Sequence, residues 1–109
     1  MERRISPRLA LELPVEQVLA DVPLGRARTL DLSTDGLCLE PLEGEQLTGE
    51  RFAWLRFQLP ASPAGEGPIR ALAELCDRDA ERLHYRIKYI YPRDRRRFEA
   101  FVQSAVGTC

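Results

Sequence analysis

Residues 26–41 read RARTLDLSTDGLCLEP, and this stretch predicts a β-hairpin. Leu30 and Leu32 are expected to point to the same face of the first strand, because successive strand side chains take opposite faces. Residues 34–36 read TDG, a sequence typical of a tight turn, and residues 37–39 resume the apolar alternation after it. The stretch therefore predicts two antiparallel strands joined by a short turn.

The polar side of the first strand carries Thr29, Asp31 and Ser33, which are expected to share one face. Residues 31–36 also form the pattern DxSxxG. One interpretation is purely structural: Asp31 or Ser33 caps the turn through its side chain, and Gly36 supplies a positive φ. The other is a binding site on the outside of the hairpin, and the pattern by itself leaves both open.

Apolar alternation elsewhere predicts four further strands, and a change of period at the end predicts one helix. The first strand is expected to begin near Leu9, and a turn is expected at Val22–Gly25. The helix is expected to start at Asp94 as its N-cap, with a polar turn at 77–82 before the last strand. Six short strands and one amphipathic helix predict a mainly β fold, an antiparallel barrel whose helix covers one end. The predicted strands are 9–15, 26–33, 37–41, 53–59, 69–75 and 83–91, and the apolar stripe of the helix is Phe98, Phe101, Val102 and Ala105.

The composition is that of one small domain, with 109 residues, 44% hydrophobic and 30% charged. A formal net charge of -1 disfavours a partner that is a nucleic acid polymer, which usually requires a strongly basic face. The chain has no apolar segment of the length of a membrane span or a signal peptide, so we expect no membrane insertion and a cytoplasmic location. Three widely spaced cysteines and one histidine predict no metal site, and Cys38 and Cys76 are expected to be buried as small apolar residues.

The chain begins with three arginines around a proline, because residues 2–8 read ERRISPR. Arg4 and Arg8 form an RxxxR pattern that has little value alone in an arginine-rich chain. Followed by DxSxxG at the end of a strong strand and by a terminal helix, the pattern resembles the PilZ domain over about residues 3–106. This family is known as a six-stranded barrel that binds the bacterial second messenger cyclic di-guanylate, c-di-GMP.

The resemblance implies a receptor rather than an enzyme, with c-di-GMP as ligand and no cofactor. It divides the chain into a flexible ligand-binding segment, residues 1–8, and a barrel with its C-terminal helix, residues 9–106. The segment would order on ligand binding and change a surface for an unidentified downstream protein, in a process such as motility or biofilm regulation. One departure from the family is Arg86, at a position near the ligand where a glycine is usual, and its long side chain would either add an anion contact there or obstruct one. The implied ligand-binding residues are Arg3, Arg4, Arg8, Asp31, Ser33 and Gly36.

Three other readings stay open at this point. The first is a PilZ-like adaptor that binds proteins but no nucleotide. The second is an enzyme that uses His84 with a nearby nucleophile, but no nucleophile motif surrounds any candidate residue. The third is a barrel for single-stranded nucleic acid, which would need exposed aromatic side chains. Tyr85, Tyr89 and Tyr91 are expected to share the core face, which disfavours this third reading.

Overall fold

The computed structural model describes residues 8–60, 67–79 and 82–107, and in these residues it has six strands and one helix. All neighbouring strands pair antiparallel in the order β1-β2-β3-β6-β5-β4, and β4 pairs with β1 to close a barrel. The predicted six-stranded antiparallel barrel with one C-terminal helix is confirmed. The elements are β1 (Pro14–Leu19), β2 (Val22–Ser33), β3 (Gly36–Pro41), β4 (Phe52–Phe57), β5 (Ile69–Asp79), β6 (Arg82–Ile90) and α1 (Pro92–Gly107).

The barrel interior is filled by aliphatic side chains from all six strands, and α1 covers one end of it. Leu39, Leu55 and Ile69 are completely buried, as the apolar alternation predicts. Phe98 of α1 is also completely buried, and its ring meets the edge of the Phe57 ring at 5.5 Å between centroids. In the described residues, no helix is long and apolar enough to cross a membrane.

The segment before β1 lies on the barrel without forming a strand, so the expected strand start near Leu9 is wrong. Leu9 makes only an isolated bridge to Leu32. The Thr29 hydroxyl donates to the carbonyl of Leu11 and accepts from the backbone N–H of Leu13 at 2.8 Å. These bonds hold residues 9–13 in an extended course, which explains why their sequence alternates like a strand.

The β1–β2 turn lies at Ala20 and Asp21, upstream of the expected turn at Val22–Gly25. Both residues have positive φ, 52° and 68°, as in the two-residue turns that match the twist of a hairpin. Asp21 is of a type that tolerates positive φ, but Ala20 is not, so the sequence carried only a weak signal for this turn. Gly25 serves a different purpose inside β2, because a Cβ there would lie 2.6 Å from the carbonyl oxygen of Gln46.

At two β-bulges, the side chains face differently from the sequence prediction. The β2–β3 register shifts between Thr29 and Asp31, so Thr29 is buried while Leu30 is only partly covered. The β5–β6 register shifts at Leu72/Ala73, where Tyr89 turns outward and is 43% exposed. Each bulge adds one residue to a strand and reverses the alternation beyond it.

The tyrosines after Ile87 are therefore not in the core. Tyr85 is buried as predicted, but Tyr89 and Tyr91 are exposed. Buried tyrosines therefore no longer disfavour a barrel for single-stranded nucleic acid, and only the net charge of -1 does.

Two smaller expectations are also wrong. The helix begins at Pro92, a residue favoured in a first turn, so Asp94 is not the N-cap but lies inside that turn. There Asp94 accepts a bond from Arg97 at 3.2 Å, and Arg97 donates to the carbonyl of Gly67 at 2.8 Å. Cys76 is exposed because it is the extra residue of the second bulge between β5 and β6, whereas Cys38 is buried as expected. Burial, and next the charge of Asp31, raise the pKa of the Cys38 thiol.

Candidate functional site

The two sequence motifs are in contact through Arg8, the first residue that the structure describes. Leu9 and Leu32 exchange two backbone hydrogen bonds, of 2.7 and 3.0 Å, and this bridge places Arg8 beside Asp31. The Arg8 guanidinium donates to the Asp31 carboxylate. Both side chains keep about a third of their surface in solvent, 37% and 33%, so a ligand can still reach them.

The spacing predicts that Ser33 faces the solvent beside Asp31, but the structure places it differently. Its side chain is completely buried, and its hydroxyl donates to the Asp35 carboxylate at 2.8 Å. The Asp35 carbonyl in turn accepts from the backbone N–H of Ile87 at 2.9 Å. Ser33 therefore shapes the β2–β3 turn, Asp35 ties that turn to β6, and a ligand could contact Ser33 only if the turn opened.

Gly36 lies at the start of β3, opposite Arg86 of β6. Its φ is outside the left-handed region, so the turn does not need glycine for its backbone conformation. A Cβ at this position would lie 3.0 Å from the Tyr85 carbonyl oxygen, closer than most real contacts. Glycine is therefore favoured here because β3 and β6 approach closely, and it leaves the surface beside Arg86 open.

A surface cleft of about 300 Å³ opens beside the Arg8 and Asp31 pair. Its walls come from the segment before β1, the β2–β3 turn, β5 and β6, so it is built from distant parts of the sequence. A separate cleft of about 420 Å³ is lined mainly by apolar groups such as Pro14, Ala27 and Phe57, which suit an anion less well. The residues lining the first cleft are Arg8, Asp35, Gly36, Cys76, His84, Tyr85 and Arg86.

Arg86 brings a second guanidinium to this cleft. It is exposed, and it makes no ion pair with any residue that the structure describes. Its β5 neighbour Glu74 is engaged by Arg51 at 2.8 Å and Lys88 at 3.7 Å. The hydrogen bond from Arg51, and then the charges of Arg51 and Lys88, hold the pKa of Glu74 below its usual value. The Arg86 guanidinium is thus available to an anion in the cleft.

The structure brings Arg8, Asp31, Ser33 and Gly36 together, while the predicted site residues Arg3 and Arg4 lie outside the described residues. His84 and Arg86 line the cleft although they were not among the predicted ligand-binding residues. Their position follows from the β3–β6 pairing, in which Cys38 lies opposite His84 and Gly36 opposite Arg86. That pairing joins strands far apart in sequence, and no local pattern reveals it.

The chain forms a closed six-stranded antiparallel barrel with a terminal helix, and the segment that carries Arg8 is bridged to β2. These features define the class of fold. No protein-family model matches the chain, and no curated protein does. Among solved structures, the Bacillus subtilis inhibitor of motility MotI/DgrA is similar at 16% identity and a TM-score of 0.68, covering 100% of this chain. YcgR from Escherichia coli in complex with c-di-GMP is similar at 23% identity and 0.69, covering 97%.

The PilZ domain of CeSA from a cellulose synthesizing bacterium is similar at 19% identity and a TM-score of 0.61. That comparison covers 94% of this chain and 97% of the CeSA domain. By contrast, the chain spans about half the length of MotI/DgrA and of YcgR, 54% and 47%. The fold of this protein is therefore that of a PilZ domain, as the two motifs predicted.

Proposed function

We propose that this chain is a receptor for c-di-GMP, which binds across the cleft between the Arg8 and Asp31 pair and Arg86. The observation that carries the proposal is the contact between Arg8 and Asp31, because it joins the RxxxR and DxSxxG motifs beside one cleft. The similar structure of YcgR was determined with c-di-GMP, which supports the same ligand here. Arg3 and Arg4 complete the proposed set from the N-terminal segment.

The paired side chains match the two edges of guanine. An arginine fork donates to guanine O6 and N7, and a carboxylate accepts from guanine N1 and N2. Because Asp31 already holds Arg8, the fork is oriented before the ligand arrives, which lowers the entropy cost of binding. A guanine base that reaches both groups would replace or bridge their ion pair.

The signal is relayed, in this proposal, by the segment that carries Arg3, Arg4 and Arg8. Two phosphates and two guanines would draw these arginines over the cleft and create a new surface for a downstream protein. The Leu9 and Leu32 bridge anchors the segment at its barrel end, so closure would involve the residues before it.

Calorimetric titration tests the proposal. The chain should bind c-di-GMP with micromolar affinity or better, while GTP and the linear dinucleotide should bind at least tenfold more weakly, because neither presents the same closed arrangement of two phosphates and two bases. Hydrogen exchange in the same samples should slow at the amides of residues 3–6 and of Arg8. A folded chain that ignores c-di-GMP at high micromolar concentration would contradict the receptor function and favour the adaptor alternative.

Arg86 should contribute a phosphate contact from the rigid wall of the barrel. Replacing it with alanine should weaken c-di-GMP binding about threefold to tenfold, the scale of one solvent-exposed charge-assisted hydrogen bond. The salt dependence of binding should also become less steep, since one cation is removed. Arg96→Ala, which removes an exposed arginine from α1, is the matched control. If Arg86→Ala binds as tightly as the control, Arg86 makes no contact with the ligand, and if it binds more tightly, Arg86 obstructs the cleft.

A further inference from the structure

His84 is the only histidine of the chain, and it lines the same cleft as Arg8 and Arg86. It lies on β6, where outward side chains alternate with buried ones such as Leu83 and Tyr85. Its own side chain is half-buried, and within the part of the chain that the structure describes it makes no hydrogen bond or ion pair. Both ring nitrogens are therefore available to a ligand.

The strand register fixes the place of this imidazole in the cleft. Asp31 lies opposite Cys38, and Cys38 opposite His84, so the three residues form one line across β2, β3 and β6. Neighbouring strands are about 4.8 Å apart, which puts the Cα atoms of Asp31 and His84 about 10 Å from each other. Arg86 follows two residues further along β6, about 7 Å away on the same outward face. His84 therefore lies between the Arg8 ion pair and Arg86.

The charge of the barrel wall in this cleft is smaller than that of the proposed ligand. The two phosphates of c-di-GMP each carry one negative charge. Asp31 neutralises Arg8, so among the described lining residues only the Arg86 guanidinium is a cation without an ion partner. Arg3 and Arg4 would add charge from the N-terminal segment in the proposed set. A charged imidazole would add a second cation to the wall itself, with an N–H donor on each ring nitrogen.

We propose that His84 donates to a phosphate of c-di-GMP beside Arg86, and that protonation of its imidazole tightens ligand binding as the pH falls. The inference rests on the proposed receptor function and adds regulation by pH to the same site. An anion beside the ring favours the charged imidazole, so ligand binding takes up protons. The added affinity is present at low pH and is lost as the pH rises and the imidazole becomes neutral.

The groups around His84 that carry or can gain a charge are arginines, carboxylates and thiols. Arginines keep their charge, carboxylates change charge mostly below about pH 5, and thiols mostly above about pH 8. Histidine is the side chain that changes charge between these limits. A window of about pH 6.0 to 7.5 therefore isolates the imidazole. The surrounding groups are Arg8, Arg82 and Arg86, then Asp31, Asp35 and Asp77, then Cys38 and Cys76.

Calorimetric titration with c-di-GMP at about pH 7.0, in buffers of different ionisation enthalpy, counts the protons taken up on binding. We expect about 0.3–0.5 proton per ligand for the wild type. His84→Gln keeps an N–H donor but cannot gain a charge, so its proton uptake should be close to zero. From about pH 7.5 to 6.0 the wild type should bind about twofold to fivefold more tightly, while His84→Gln should change little. At pH 7.5 the two affinities should agree within about twofold, which also shows that the variant is folded.

Two control variants separate the imidazole from its surroundings. Cys76→Ser removes an exposed thiol from the cleft, and Lys88→Gln removes an exposed cation from the same strand outside the cleft. Both should keep the proton uptake and the pH dependence of the wild type. Equal proton uptake by the wild type and His84→Gln would overturn this inference, while c-di-GMP binding by both would leave the receptor function intact. A wild type that does not bind c-di-GMP at any pH would overturn both.

Discussion

Arg8→Ala should weaken c-di-GMP binding about fivefold to more than a hundredfold in calorimetric titration. A bidentate contact between arginine and guanine contributes about 1–3 kcal/mol, and this substitution removes it entirely. It also leaves the Asp31 carboxylate without the guanidinium that it holds in the ligand-free structure. Arg26→Ala is the control, because Arg26 forms a similar exposed ion pair with Glu45, at 3.1 Å, elsewhere on β2. Equal affinities of the two variants would show that Arg8 is not a ligand contact.

A double-mutant cycle separates the two roles available to Asp31. If Asp31 only orients Arg8, then Asp31→Ala should cost nothing further in the Arg8→Ala background. If Asp31 also accepts from the guanine, Asp31→Ala should weaken binding in the Arg8→Ala background as well. Cyclic di-inosinate, which lacks the guanine N2 amino group, should then bind the wild type more weakly but lose less than c-di-GMP does on Asp31→Ala. The same loss for both ligands would exclude N2 recognition by Asp31.

Local patterns predicted the barrel well, because alternation and turn chemistry act within a few residues. The hairpin of β2 and β3 and the amphipathic stripe around Phe98 follow directly from periods of 2 and 3.6. The patterns failed where a bulge intervened. Leu30 and Lys88 are the extra residues of the two bulges, and neither differs chemically from a regular strand residue. A bulge can therefore be recognised only from the pairing with the partner strand.

The candidate site was predicted in its parts but not in its geometry. The resemblance to the PilZ domain implied that Arg8 and Asp31 serve one site, and the structure places them in contact. Spacing did not reveal that Ser33 is buried, because its burial comes from Asp35 and from the tie between the turn and β6. Only the resemblance, and no local pattern, placed Arg86 near the ligand, since its position depends on which strand lies beside β3. Pairing between distant strands is a tertiary property, and a single sequence carries little trace of it.

The Arg8 and Asp31 ion pair has a consequence for the proposed receptor. A ligand that binds to both groups must offset their mutual attraction, which is modest because both side chains are partly exposed. The pair therefore orients the site at small cost in affinity. In the adaptor alternative the same contact has a purely structural role, because Arg8 then only holds the N-terminal segment on the barrel.

Phe98→Ala should lower the free energy of unfolding by about 3–5 kcal/mol, the usual cost of removing a buried phenyl ring from a core. Phe98 is completely buried, and its ring packs on the edge of Phe57 inside the barrel. Removing it would open a cavity between α1 and the barrel end. Because a small domain has only about 5–15 kcal/mol of stability, much of it would be lost. Urea unfolding followed by far-ultraviolet circular dichroism measures the change.

Phe52→Ala is the control for this prediction, since it deletes the same atoms from a side chain that is 47% exposed. Its expected cost is below about 1 kcal/mol, because a surface site leaves no sealed cavity. Arg97 also fastens α1 to the barrel through the Gly67 carbonyl, at 2.8 Å, so the helix should stay attached when the ring is removed. Phe98→Ala should therefore unfold in one cooperative transition at lower urea. Equal losses for the two variants, or an early separate loss of helix signal, would contradict a helix that is part of the barrel core.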